Sequence, residues 1–112
     1  MVAPVSNCDE YFATLQDRLV ADAASDVNAV YQYNLTGDGG GEWHVKFENG
    51  QMSVEKGAHE KPSVTYTMDA KNYIDMANGD LDGTKAYLTR KLKVKGSLAL
   101  AQKLKKILPP SK

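Results

Sequence analysis

Hydrophobic and polar residues alternate in five short stretches of the chain, and this period of two predicts five β-strands. In the first stretch, Tyr31, Tyr33 and Leu35 alternate with Gln32 and Asn34. The predicted strands comprise residues 30–36, 42–48, 51–55, 64–68 and 91–95. Each has one apolar and one polar face, so the sheet has a single side that other elements must cover.

The connections between these strands carry turn signals. Asn49-Gly50 stands between the second and third strands and is a preferred two-residue hairpin sequence, because both positions must tolerate a positive φ. Residues 37–41, which read Gly-Asp-Gly-Gly-Gly, predict a longer hairpin loop between the first two strands. Residues 57–62 predict a surface connection to the fourth strand.

A period of 3.6 residues precedes the strands and predicts one uninterrupted helix over residues 9–24. Phe12, Leu15 and Leu19 form its apolar stripe, and Arg18 falls on the opposite, polar face. This helix is therefore expected to pack one side against the sheet.

Three further helices are predicted in the second half of the chain, each after a residue whose side chain can cap the first turn. They comprise residues 70–78 after Asp69, residues 83–89 after Asp82 and residues 98–108 after Ser97. In the second of these, Ala86 and Tyr87 are expected to face inward. The whole pattern predicts an α+β fold in which three to five helices cover one face of a five-stranded sheet.

Composition is typical of an ordinary globular domain. The chain has 112 residues, of which 42% are hydrophobic and 25% charged, so one domain over residues 1–112 is expected, with flexible ends at residues 1–7 and 109–112. The single Cys8 cannot form an intramolecular disulfide, and no apolar run approaches the roughly 20 residues that span a bilayer. A reducing, cytoplasmic location is therefore expected.

Charge is distributed unevenly along the chain. All 14 acidic residues lie within residues 1–82, whereas residues 83–112 contain nine of the 14 basic residues and no acid. Three interpretations remain open: solvated lysines, contact with anionic headgroups or phosphates, and nucleic-acid binding. Nucleic acid is the least favoured partner, because the cations are not interleaved with exposed aromatic residues.

No motif that could carry catalysis or hold a metal is supported by its surroundings. The glycine loop at residues 37–41 leads into a strand, whereas a phosphate-binding loop leads into a helix N-terminus. His44 and His59 have no ligand residues at metal-binding spacing, and Cys8 has no base beside it. The acidic pairs Asp9/Glu10 and Asp80/Asp82 lie at predicted helix starts, where the helix dipole accounts for them. We therefore expect no catalytic residue, no metal, no cofactor and no enzymatic activity.

Methionine is prominent among the predicted inward residues. Met52, Met68 and Met76 accompany six tyrosines, one tryptophan and two phenylalanines in a small domain. Because methionine adapts to irregular spaces, this set indicates either a packed core or a ligand cavity, and composition does not separate the two.

The order and spacing of several short motifs resemble the sterol carrier protein type 2 domain over roughly residues 9–108. The motifs are Val30-Tyr-Gln-Tyr-Asn-Leu-Thr-Gly37, Gly41-Glu-Trp43, Asn49-Gly50, Gly57, Lys61-Pro62-Ser-Val-Thr65, Gly79, Lys85-Ala86, Lys91-Leu-Lys-Val-Lys-Gly96, and Ala101 and Leu104 in the last helix. Two positions depart from the family pattern: Arg90-Lys91 stands where Gly-Lys is common, and Pro62-Ser63 where Pro-Asp is common.

The resemblance implies a largely antiparallel sheet of strand order 3-2-1-4-5, with an apolar tunnel between the sheet and the helices. It also implies non-catalytic binding and transfer of a fatty acid, fatty acyl-CoA, sterol or similar lipid. Expected ligand contacts are Phe47, Met68, Tyr73, Ile74, Met76, Tyr87, Leu100, Ala101, Leu104 and Leu108. A monomer is expected rather than a dimer.

The basic segment adds a second expectation. Lys103, Lys105 and Lys106 are expected to contact lipid headgroups or, transiently, an anionic membrane. Two other functions remain as alternatives: an accessory domain that presents acyl substrates to a partner enzyme, and an interaction module that uses the basic surface and has a filled core.

Overall fold

Five strands form one mixed sheet in the computed structural model, which describes residues 4–109 of the chain. The strand order is β3-β2-β1-β4-β5, as the family resemblance predicts. The strands are β1 (Ala29–Thr36), β2 (Gly41–Glu48), β3 (Gln51–Lys56), β4 (Val64–Asp69) and β5 (Leu92–Gly96). All five predicted strands are present, with ends that shift by at most one residue.

Strand pairing is antiparallel except at the centre of the sheet. β1 pairs antiparallel with β2, β2 with β3 and β4 with β5, whereas β1 and β4 run parallel. The predicted hairpin turn between β2 and β3 is confirmed, since Asn49 and Gly50 have φ values of 55° and 79°.

The helices cover one face of this sheet. They are α1 (Cys8–Ala13), a 3₁₀ helix (Leu15–Arg18), α2 (Ala21–Ala24), α3 (Ala70–Ala77), α4 (Gly83–Leu88) and α5 (Leu98–Ile107). Asp69, Asp82 and Ser97 each accept a hydrogen bond from a backbone N–H of the following first turn, so the three late helices and their caps are confirmed.

The prediction of one helix over residues 9–24 is wrong. The Thr14 hydroxyl donates to the carbonyl of Glu10 at 2.7 Å, where α1 ends. Leu19 then has extended backbone, and the amide of Val20 donates to the carbonyl of Ile107 at 2.8 Å. A tertiary hydrogen bond to the end of α5 therefore replaces the local helical bond that the periodicity favours.

The N-terminal segment is attached to α3. Val5 is buried, and its backbone N and O bond the Asn78 side chain at 2.7 and 2.8 Å, while Asn7 caps α1. Val5 and Asn7 therefore make specific contacts within the end that is expected to be flexible. Residues 1–3 and 110–112 of the predicted ends lie outside the described residues.

The polar face of the sheet is partly covered by the connection from β3 to β4. His44 Nδ1 lies 3.0 Å from the carbonyl oxygen of Gly57, and the amide of His59 donates to Gln32 Oε1 at 2.9 Å. The two histidine rings meet edge to face with centroids 5.2 Å apart. The His44 side chain is only 12% exposed, because this connection encloses most of its ring.

The turn before β5 keeps the backbone conformation of a glycine although it contains arginine. Arg90 has a φ of 64°, in the left-handed region that L-residues adopt at a cost of about 1 kcal/mol. The Arg90→Gly variant is expected to raise the free energy of unfolding by about 0.5 kcal/mol, after the greater freedom of glycine in the unfolded chain is subtracted. Urea denaturation measures this difference.

The neighbouring Lys91 supplies the matched control for that substitution. Its φ is negative, so Lys91→Gly removes no strain and is expected to lower stability by about 0.5–1 kcal/mol. Equal losses in Arg90→Gly and Lys91→Gly would show that the left-handed turn stores no strain.

Candidate functional site

A cavity of about 580 Å³ lies between the β4–β5 side of the sheet and the helices α3, α4 and α5. Three of its lining residues, Tyr66, Leu92 and Val94, come from the sheet, and most of the others come from the helices and the residues around them. Its wall is mainly apolar, with a few polar groups at either end.

Helix α5 forms one side of the cavity. Leu98, Ala101, Leu104 and Leu108 follow one another at spacings of three or four residues, which places them on the same face of the helix. This apolar face of α5 therefore forms its part of the cavity wall.

Two tyrosines of the sheet hold α5 in place. The Tyr31 hydroxyl donates to the carbonyl of Leu100 at 2.8 Å, and the Tyr66 hydroxyl donates to that of Ala101 at 3.2 Å. Burial raises the pKa of Tyr31 to about 12 and raises that of Tyr66 further, so both remain protonated donors at neutral pH. Specific hydrogen bonds thus fix α5 on the sheet beside the cavity.

The inner end of the cavity is polar. The Tyr73 hydroxyl donates to the Tyr11 hydroxyl at 3.0 Å, and both side chains are buried. Burial raises the pKa of both phenols. The Arg18 guanidinium lies 5.0 Å from the centroid of the Tyr11 ring, so a buried cation and two hydroxyl groups meet at this end.

Arg18 is only 2% exposed, and the expectation that it lies on a polar outer face is wrong. The break after α1 turns its side chain inward, where Nη1 donates to the carbonyls of Ala77 at 3.1 Å and Pro109 at 3.3 Å. These carbonyls lie at the C-terminal ends of α3 and α5, where the helix dipole favours a cation.

The outer end of the cavity carries charges of both signs. Asp82 and Lys105 both line it. The hydrogen bond from the Lys85 amide, together with the nearby Lys105 and Lys85 charges, lowers the pKa of Asp82. The mouth of the cavity therefore carries an ionised carboxylate beside two cations.

Six of the ten predicted ligand contacts line this cavity: Tyr73, Met76, Tyr87, Ala101, Leu104 and Leu108. Ala86 rather than Tyr87 is the fully buried residue of α4, and Tyr87 reaches the cavity from a position that is 44% exposed. The other four, Phe47, Met68, Ile74 and Leu100, do not line it. Phe47 packs edge to face on Tyr31 in the solid part of the core, which explains its separation from the cavity.

The predicted ligand contacts do not include Tyr11, Arg18, Tyr66, Leu98 and the two β5 residues of the wall. Leu92 and Val94 carry the strand alternation that could have identified them, and Leu98 is three residues before Ala101 on the same helix face. Arg18 has no such signal, because its inward direction depends on the break in the first helix.

The three predicted headgroup lysines lie in different surroundings. Lys105 lines the cavity, whereas Lys103 Nζ lies 4.0 Å from Asp26 Oδ1, and Lys106 is exposed. Of the three, Lys105 is therefore the one that borders the cavity.

Within residues 4–109 there is no group of three His, Cys, Asp or Glu side chains placed to hold a metal ion. Cys8 is buried, and burial raises the pKa of its thiol, which keeps it protonated and unreactive at neutral pH. No helix in this range is long and apolar enough to cross a membrane.

The chain is similar in sequence to part of a set of longer curated proteins. Hydroxysteroid dehydrogenase-like protein 2 of Xenopus tropicalis is 34% identical over 104 residues, which are 92% of this chain and 25% of that protein. The chain thus spans about a quarter of the length of the curated relatives it matches.

Two solved structures share the fold. The sterol carrier protein domain 2 of Helicoverpa armigera has a TM-score of 0.74 and 24% identity, covering 96% of this chain and 92% of that one. Sterol carrier protein 2 of Aedes aegypti, solved in complex with palmitate, has a TM-score of 0.67 and 25% identity, covering 90% and 93%. The SCP-2 sterol transfer family model matches residues 9–109, and the chain belongs to that family.

Proposed function

We propose that this protein binds one lipid with a long acyl chain or ring system in the cavity and carries it without chemical change. The observation that supports this most directly is the apolar cavity of about 580 Å³ between the sheet and α3, α4 and α5. Pockets for small molecules commonly have volumes of about 300–1,000 Å³. Palmitate in the related Aedes aegypti protein is a ligand of this class.

The energetics favour a chain of many methylene groups. Burial contributes about 0.8 kcal/mol per CH₂, so a long acyl chain gains on the order of 10 kcal/mol. Loss of translational freedom and of chain flexibility offsets several kcal/mol of this gain. A dissociation constant around micromolar or somewhat lower is therefore expected.

The two polar ends of the cavity suit different headgroups. Arg18, Tyr11 and Tyr73 are buried at the inner end, where their cationic and hydroxyl groups suit a small headgroup such as a hydroxyl or carboxylate. Lys105 and Gln102 line the wall on α5, and the exposed mouth leaves room for a bulky headgroup such as coenzyme A. We therefore expect free fatty acids and sterols to be able to enter headgroup first, and acyl-CoA chain first.

A second candidate function rests on the length of the curated relatives. The chain matches only about a quarter of the length of the dehydrogenase-like proteins, so those relatives have room for further domains. If one of these is catalytic, the same cavity is suited to presenting a lipid substrate to it. Turnover assays with acyl-CoA or steroid substrates, on the chain alone and with a candidate enzyme domain, distinguish carriage from substrate presentation.

Titration with a fluorescent long-chain fatty acid tests the proposed function. Transfer of the probe from water into the apolar cavity is expected to raise its intensity and shift its emission to the blue, with saturation near one probe per chain. Unlabelled palmitate is the competitor, and it is expected to reverse the signal. Absence of any spectral change at saturating probe, in protein whose circular dichroism shows the native fold, would rule out the proposal.

A further inference from the structure

The mouth of the cavity is surrounded by exposed apolar side chains. Tyr87 is 44% exposed, Leu88 72% and Leu98 51%, and Tyr87 and Leu98 also line the cavity. In the part of the chain that the structure describes, only one other large hydrophobic residue, Val20, is exposed. Large apolar residues that are exposed together in this way mark an interaction surface.

The short helix α4 carries much of this rim. Its Ala86 is fully buried, and the carbonyl of Ala86 accepts a hydrogen bond from the amide of Lys91. Contact with β5 therefore fixes one side of α4 and leaves Tyr87 and Leu88 on its outer side.

The charge around the rim is predominantly positive. Residues 83–109 contain eight Lys or Arg and no acid. Lys85 lies on α4, Arg90 follows it, and Lys105 lines the cavity, with Asp82 as the acid at the mouth. The net charge of this surface is therefore positive even with Asp82 ionised.

We propose that α4 and the first turn of α5 dock on an anionic lipid bilayer. Tyr87, Leu88 and Leu98 enter the boundary between headgroups and acyl chains, while Lys85 and Arg90 contact lipid phosphates. Docking in this orientation places the cavity mouth against the bilayer, so that a lipid passes between them without crossing water. This role in delivery rests on the proposed function.

A bilayer fits this surface better than a protein partner does. A stable protein interface buries about 800 Å² on each side around a central apolar patch. Here the apolar groups are three side chains on the outer side of a six-residue helix and its neighbour, and cations rather than neutral groups flank them. Exposed leucine and tyrosine beside lysine and arginine are the composition of a membrane-interface surface.

Vesicle co-flotation of the full chain tests the docking face, with phosphatidylcholine vesicles that contain or lack phosphatidylserine. The wild-type protein is expected to bind only the vesicles with phosphatidylserine, and added salt is expected to weaken binding because charges are screened beyond a Debye length of about 8–10 Å. Both Leu88→Ser and the double variant Lys85→Gln/Arg90→Gln are expected to lower vesicle affinity by about tenfold or more.

Matched controls separate this face from general properties of the protein. Lys93→Gln/Lys95→Gln removes the same charge from β5, where these residues alternate with the cavity-lining Val94. Val20→Ser removes an exposed apolar side chain elsewhere. Both controls are expected to change vesicle affinity by less than about twofold, since neither touches the rim.

Three outcomes would overturn the docking face: no binding of the wild-type protein to anionic vesicles, equal losses in the two double charge variants, or equal losses in Leu88→Ser and Val20→Ser. The first would assign the rim to a protein partner. Binding of the fluorescent fatty acid in solution is expected to be unchanged in all four variants. If the wild-type protein does not bind the fluorescent fatty acid, the proposed function is overturned. The docking face is tested separately, by vesicle binding.

Discussion

The Met76→Glu variant is expected to bind a fluorescent fatty acid at least about 100-fold more weakly than the wild-type protein while it keeps its fold. Met76 is half-buried and lines the cavity, so a carboxylate at this position keeps contact with water when the cavity has no ligand. A bound acyl chain would remove that water, and burial of an unpaired charge costs several kcal/mol. Each 1.4 kcal/mol corresponds to a tenfold change in affinity.

Met52→Glu is the control for this substitution. Met52 is also half-buried and packs on the core, but it lies on β3 at the far edge of the sheet and does not line the cavity. The Met52→Glu variant is expected to bind the fluorescent fatty acid with an affinity within about twofold of that of the wild-type protein. Leu104 is a less suitable probe of binding, because it is buried and a charge there is expected to destabilise the fold. Loss of the native circular dichroism in Met76→Glu would show that Met76 belongs to the packed core.

Replacement of Arg18 by methionine is expected to lower the free energy of unfolding by about 2–4 kcal/mol. The substitution removes the two hydrogen bonds that the charged guanidinium donates. The carbonyls of Ala77 and Pro109 then lose this donor. Hydrogen bonds to charged groups contribute about 1.5–3 kcal/mol each, and methionine fills part of the volume. The midpoint of urea denaturation, with the slope of the transition unchanged, measures the loss.

Lys56→Met provides the comparison for Arg18→Met. The Lys56 ammonium lies 5.5 Å from the Trp43 ring, as the Arg18 guanidinium lies near Tyr11, but Lys56 is exposed. Its loss is expected to cost less than about 1 kcal/mol. An Arg18→Met protein as stable as Lys56→Met would show that the helix ends do not depend on the buried cation.

The parts of the fold that could be predicted from the sequence are those with local causes. Alternation of apolar and polar residues identifies all five strands, because each strand has one face on the core and one face on the polar side. Asp69, Asp82 and Ser97 identify the late helices, because a cap satisfies the first turn within three residues of itself. The Asn49-Gly50 turn follows from backbone sterics alone.

The first helix could not be predicted correctly because its ending has a distant cause. Nothing between Thr14 and Val20 is a glycine or proline, and the apolar stripe continues to Leu19. The extended backbone at Leu19 and the inward turn of Arg18 depend on the ends of α3 and α5, which are some 60 and 90 residues away along the chain.

The cavity was predictable only in outline. Alternation and helical period indicate which side chains face inward, but they do not show where the space between sheet and helices remains unfilled. Phe47 and Met68 face the same layer as Tyr66, yet only Tyr66 borders the cavity. Since this difference depends on how far each helix stands from the sheet, it requires the positions of all the elements.

The parallel pairing of β1 with β4 has a consequence for the order in which the chain folds. β1, β2 and β3 form a meander from neighbouring segments, whereas pairing of Tyr31 with Val64 closes a loop of more than thirty residues. That closure costs entropy before it brings any contact. We therefore expect the meander to form early and the pairing of β1 with β4 to limit the folding rate. The cavity would then be the last feature to form, after Tyr11 and Arg18 from the beginning of the chain meet the segments that follow β4.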